Sequence, residues 1–294
     1  MANVFVYGTL RKGESNASLL KNAQCIAEQA WTNGILYDTG FGYPAVKKSA
    51  NGRVFGELYK VTEQELERLD QLEGYVPGGE NNLYERIKMP VFTDRGETEA
   101  YVYVAGRKDL LEAEIPGGDW KEYRLLRKGQ TDAVLYFAYG SCMDDKRFIE
   151  DGANHFFQNV KGVGILRNYT LRFTHRARGD GMGRADIVEE GGLVEGKVYE
   201  IPVRVLKEYL YLREGVPFAY RPTFVTVELN GRKVETLTFT VRNKTKETPP
   251  PDWYAQEILR GANGFLSEKY IKELKNHLLN LENRDRGTGT SSQG

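Results

Sequence analysis

The 294 residues are enough for two domains of ordinary size, each with its own apolar core. Forty-one lysines plus arginines balance 41 aspartates plus glutamates, which excludes a large counterion-release contribution and with it nucleic acid as the main partner; a small, locally charged ligand fits better. Two cysteines and three histidines exclude a disulfide framework and a four-cysteine metal site and leave few candidates for histidine chemistry, so attention moves to the carboxylates.

The chain passes from Met1 straight into the strand-like VFVYG, with no basic stretch or small-residue cleavage site, and no apolar run approaches the roughly eighteen residues that a membrane helix needs. The expectation is a soluble protein of the reducing cytoplasm that makes no membrane contact. Taken in chain order, residues 4–7 read as a strand, 9–13 as a basic turn and 16–24 as a short helix, followed by strands at 30–37 and 52–61. TEQELERLDQL at 62–72 predicts a helix, with Leu66, Leu69 and Leu72 on one face and Thr62 with Glu65 as a capping box. Strands at 84–92 and 97–104 come next, then a last helix and linker within 106–131.

The second half replays that order, with a strand at 134–139, a helix at 144–150, strands at 162–173 and 192–201 and a helix at 203–212. Strands at 221–229 and 234–241 lead to PPPDW, where prolines stop the sheet and Asp252 starts a helix; a further helix covers 267–281. The expected domains are 1–130, including a linker, and 131–282, with a disordered tail at 283–294. Strands mixed with peripheral helices predict an α+β architecture, with a small curved sheet or barrel in each half.

The replay is also local. VFVYGTLRKG at 4–13 matches VLYFAYGSCM at 134–143, and a lone glutamate before a glycine follows each copy, Glu73 in LDQLEGY and Glu214 in YLREGVP. The tyrosines are 132 positions apart (139 − 7) and the glutamates 141 (214 − 73), a domain-sized period. A strand running into Gly-Thr or Gly-Ser can turn its N–H groups into an anion or oxyanion site. One isolated copy would read as a plain strand-to-helix turn capped by Thr9 or Ser141; duplication with a matched glutamate favours the site. Glu73 and Glu214 read either as surface acids at helix ends, where the macrodipole opposes them, or as partly buried carboxylates with a pKa raised for general-base work.

Other candidates are thinner. Arg11, Arg176, Arg178 and Arg184 suit a substrate carboxylate but more simply form solvated faces, and His175 reads as a rim residue. With His155 and His277 remote in sequence, no metal set emerges. Cys142 has no sequence-placed histidine to activate it and is taken as a loop residue.

These motifs carry a resemblance. VLYFAYGSCM, FTHRARGDGMGRADI, GGLVEGKVYEI, YLREGVPFAYR and PPPDWYAQEILRGANGFLSEKYIKEL make domain two similar to the γ-glutamylcyclotransferases along almost its whole length. VFVYGTLRKGESN, GILYDTGFGYPAV, GRVFGELYKV, LDQLEGY, LYERIKMPVF and PGGDW make domain one similar to the shorter γ-glutamylamine cyclotransferase and avirulence-induced-gene-like branch of that superfamily. The resemblance implies tandem small mixed β-barrels with flanking helices and no metal or organic cofactor. It implies substrate loops Tyr7, Gly8, Thr9, Leu10 and Tyr139, Gly140, Ser141, Cys142, with Glu73 and Glu214 as catalytic acid/bases. The implied reaction turns a γ-glutamyl amine or γ-glutamyl peptide into 5-oxoproline plus free amine or amino acid. Cys142 stands where the larger family usually has Asn, Tyr211-Leu212 replace a Leu-Asp pair, Arg213 adjoins the base, and Ala17 replaces a histidine common in the smaller branch. A binding or scaffolding protein that retains the pockets without turnover is the alternative.

Overall fold

The computed structural model describes residues 1–127, 129 and 132–289, with side chains through residue 284. The chain divides into two compact units, Met1–Arg127 and Lys128–Gly294. Among the described residues, no helix is long and apolar enough to cross a membrane.

Unit 1 runs β1 (Ala2–Val6), a 3₁₀ turn (Ala17–Leu20), β2 (Gln24–Asn33), β3 (Ile35–Asp38), β4 (Pro44–Lys47), β5 (Arg53–Val61) and α1 (Glu63–Leu72). It ends with β6 (Tyr84–Thr93), β7 (Gly96–Ala105), β8 (Ala113–Glu114) and α2 (Trp120–Leu126). Five strands close a barrel in the order β1-β5-β2-β6-β7, and β4-β3-β8 form a small side sheet. The closing contact is mixed: β1 lies antiparallel to β5, with Val6 opposite Glu57, and parallel to β7, with Phe5 opposite Val102. Alternation along β1 sends Phe5 into one apolar cluster with Val54, Leu58 and Val102, and Val4 and Val6 into a second with Leu69, Tyr84 and Tyr103. The first fills the barrel. The second fastens α1 outside it, through the fully buried Leu69.

Unit 2 repeats the plan with β9 (Ala133–Ala138), α3 (Asp145–Glu150), β10 (Val160–Arg167), β11 (Thr170–Arg176), β12 (Gly183–Val188) and β13 (Leu193–Pro202). After it come a π-helical turn (Leu206–Leu210), α4 (Tyr211–Arg213), β14 (Tyr220–Leu229), β15 (Arg232–Val241), α5 (Asp252–Ala262) and α6 (Glu268–Gly289). Its barrel closes in the order β10-β13-β9-β15-β14, with β11 and β12 as a separate pair. One packing device is common to both barrels. Gly56 and Gly196 sit under the rings of Phe5 and Phe137, and a Cβ on either would stand 2.2 or 2.3 Å from the carbonyl oxygen of Val6 or Ala138.

The tandem α+β barrels match the expected fold class, and the capping box of Thr62 with Glu65 is formed. Several local readings are corrected. The helix expected at 16–24 is only the 3₁₀ turn, since β2 already begins at Gln24. The strand read at 30–37 is the end of β2 followed by β3, with Gly34 between them. The strand read at 162–173 is β10 and β11, separated at Asn168, whose φ of 69° turns the chain. β12 was not anticipated, because Asp186 looks like a surface acid; it is fully buried and accepts from Thr174, Thr240 and the Val241 amide. At the end of the chain, α6 continues through 283–289 although this stretch holds Asn283, Asp285, Thr288 and two glycines, all weak helix formers, so this part of the expected tail is helical. Residues 290–294, and positions 130–131 at the expected domain boundary, lie outside the described residues.

Candidate active site

The two Tyr-Gly loops leave their barrels through the same set of bonds. Tyr7 donates its hydroxyl to the Tyr103 carbonyl at 2.7 Å, and Tyr139 donates to the Phe239 carbonyl at 2.6 Å, which pins each loop across the barrel mouth. Gly8 is required by packing, because a Cβ there would meet the Pro44 ring at 2.7 Å; at Gly140 it would meet Ala185 at 3.2 Å. Those neighbours belong to β4 and β12, whose carbonyls at Pro44 and Ala185 accept the hydroxyls of Tyr84 at 2.9 Å and Tyr220 at 2.7 Å. In unit 1 the loop folds back on Asn16, which donates to the Thr9 hydroxyl at 3.0 Å. Among the described residues, no main-chain carbonyl accepts from the amides of Thr9 and Leu10.

Each glutamate closes a helix facing its loop. Glu73 caps α1, its amide donates to the Leu69 carbonyl, and its own carbonyl accepts from the Tyr84 amide that opens β6. The left-handed Gly74, φ 60°, reverses the chain. Glu214 caps α4 in the same way, followed by Gly215 at φ 62°, after the π-helical turn. Both carboxyls point into pockets. In unit 1 a cavity of about 480 Å³ is lined by the Tyr7–Leu10 loop, Asn16, Tyr43, Tyr84, Tyr103 and Glu73. Burial alone lifts Glu73 to about 7, and its charge in turn helps to raise Tyr84 and Tyr7 beyond what their own burial does.

Unit 2 brings the matching residues together differently. Its cavity, lined by Tyr139, Gly140, Ser141, Cys142, Glu214, Tyr220 and Tyr254, has only about 30 Å³. The Cys142 thiol donates to Glu214 Oε1 at 3.2 Å and accepts from Arg213 Nε at 3.1 Å. Burial pushes that thiol up to about 11, against the pull of Arg213, so it stays protonated at neutral pH. Burial also raises Glu214 and prevails over the opposing Arg213 charge and the Cys142 hydrogen bond.

Of the other sequence candidates, Arg11 is corrected. It is fully buried, with Nε 3.3 Å from Glu57 and Nη1 2.9 Å from Asp119, and it does not line the cavity. Arg184 and His175 line an outer groove of unit 2, with Arg184 tied to Asp180 at 2.8 Å and stacked near Trp253 and Tyr254; burial lowers the His175 pKa. Arg176 bonds the Gly181 carbonyl and Arg178 is exposed. His277 pairs with Glu247 away from either loop. Among the described residues, no three His, Cys, Asp or Glu side chains cluster as metal ligands. Sequence reasoning missed Tyr84 and Tyr220, although LYER and AYRP repeat at a spacing close to that of the glutamates. It also missed β4 and β12, which form the far wall.

The family model for "Gamma-glutamyl cyclotransferase, AIG2-like" matches residues 4–122, and that for "AIG2-like family" matches residues 193–274. YkqA of Bacillus subtilis (strain 168) is 42% identical over 95% of this chain and 98% of its own. The chain belongs to the γ-glutamylcyclotransferase family. The crystal structure of YkqA superposes with a TM-score of 0.85 at 41% identity, covering 95% of this chain and 98% of that one. The gamma-L-glutamyl-butirosin B gamma-glutamyl cyclotransferase of Niallia circulans is 44% identical over 42% of this chain and 79% of its own. Within this γ-glutamylcyclotransferase tandem, the match at 4–122 contains loop, glutamate and far wall together, whereas that at 193–274 contains Glu214 but not the Tyr139–Cys142 loop.

Proposed function

We propose that the chain converts a γ-glutamyl amine or γ-glutamyl peptide to 5-oxoproline and a free amine or amino acid, with a glutamate as general acid/base. The observation that carries this reading is the Glu73 carboxyl, raised to about 7, in a cavity of about 480 Å³ walled by the Tyr7–Leu10 loop. That volume lies within the range of small-molecule sites. The α-amino nitrogen of the substrate attacks its own γ-amide carbonyl, so the enzyme supplies no nucleophile. Before attack the ammonium loses a proton. Transfer from a group of pKa about 8 to an ordinary glutamate near 4.3 is uphill by about 5 kcal/mol, and a glutamate near 7 reduces this to about 1.4 kcal/mol. The resulting carboxylic acid then protonates the leaving amine.

Main-chain amides aimed at the developing oxyanion typically contribute about 3 kcal/mol, and a binding site that holds the glutamyl chain folded raises the frequency of ring closure. The test is to incubate the full chain with γ-glutamyl amines, γ-glutamyl dipeptides and glutathione and to follow 5-oxoproline by mass spectrometry. Release of 5-oxoproline is the expected outcome. Binding with no product, or a non-cyclic γ-glutamyl product, would count against it.

A further inference from the structure

The two pockets share a scaffold and differ in what fills them. Aligning YGTL with YGSC places Leu10 opposite Cys142, and aligning LEG with REG places Leu72 opposite Arg213. The two replacements touch each other. Arg213 donates from Nε to Cys142 Sγ at 3.1 Å, from Nη2 to the Ser141 hydroxyl at 3.2 Å, and from Nη1 to Asp151 at 3.0 Å and to the Tyr209 hydroxyl at 3.3 Å. With these four partners its side chain is only 12% exposed. Leu72, by contrast, stands 38% exposed on the rim of an open cavity.

The consequences are steric and chemical. The remaining 30 Å³ has room for one or two waters, not for a glutamyl group. An outer groove of about 300 Å³ shares Ser141, Glu214, Tyr220 and Tyr254 with this pocket but is not lined by Tyr139, Gly140 or Cys142, so a ligand there meets the loop only at Ser141. Glu214 already accepts the Cys142 thiol, and a substrate ammonium approaching it would meet the like charge of Arg213. We infer that turnover belongs to unit 1 alone, and that Arg213 and Cys142 form a latch that closes the substrate pocket of unit 2. This rests on the acid/base reading of the glutamates given above.

Two measurements on the full chain test it. For any γ-glutamyl substrate that the native chain turns over, Glu73→Gln lowers 5-oxoproline formation at least tenfold. A smaller loss overturns the inference, and the Glu73→Gln/Glu214→Gln double variant then shows what failed. If the double variant is inactive, unit 2 works and only the division of labour falls; if it remains active, the acid/base reading falls and this inference with it. Independently, iodoacetamide labelling followed against pH, with modified peptides mapped by mass and each rate expressed per thiolate, should be at least tenfold slower at Cys142 in the native chain than in Arg213→Leu. Equal rates would mean that no latch exists.

Discussion

Glu73 is the one carboxylate among the residues that line the unit 1 cavity, and its position makes two pH effects computable in sign. Its pKa is raised from an ordinary value of 4.5 to about 7, so between those values the folded chain holds a proton that the unfolded chain releases. Stability therefore falls as pH rises through this window. Glu73→Gln carries no ionisable group, so it should match the native chain near pH 4.5 and exceed it at pH 8 by on the order of 2 kcal/mol. Urea titrations at the two pH values check this; an equal difference at both would dissociate Glu73 from the effect. Under the proposed reaction the ionised form is the base, so kcat/KM should rise with pH along a limb of apparent pKa near 7. At the same scale, the repeat made the glutamates and glycines legible, whereas the direction of Arg213 was not, because side-chain orientation depends on partners such as Asp151, far away in sequence.

Elements are fastened by contacts that composition does not announce. Arg11 looks like a surface cation in a basic turn, yet it joins Glu57 of β5 to Asp119, whose carboxylate also caps α2 by accepting from the Lys121 and Glu122 amides. Removing the cation takes the guanidinium charge away from two buried carboxylates, which keep only their other hydrogen bonds. Arg11→Met should lower stability by about 3 kcal/mol, seen as a shift of the urea midpoint, while KM for a γ-glutamyl substrate stays unchanged where the variant is folded. Gly196→Ala should be harmful for a different reason, since the new methyl group collides with the Ala138 carbonyl at 2.3 Å; a loss of about 2 kcal/mol or more in the same assay is expected. Strand and helix types were mostly readable from periodicity. β12 was not, because its buried Asp186 breaks the apolar signal and is satisfied by Thr174 of β11, Thr240 of β15 and Lys244 beyond it.

For the whole molecule the duplication is the dominant fact, and it invites the assumption of two equal sites. The structure contains two equal scaffolds and two unequal pockets, about 480 and 30 Å³. In calorimetric titration of the Glu73→Gln chain with a γ-glutamyl substrate, the stoichiometry should therefore be close to one per chain. A value near two would show that unit 2 also accepts the ligand.

Two α+β units, and the loops and glutamates that recur in them, are legible in the order of residues alone. Those features are written in local order, in strand alternation, glycine placement and a repeated spacing, all of which survive without knowledge of distant contacts. It takes the folded chain to show that Arg11 is internal, that β4 and β12 complete the walls, and that one cavity is open while the other is narrowed to about 30 Å³. Each of these depends on which side chains meet across the fold, and burial and partner geometry exist only once the barrels have closed.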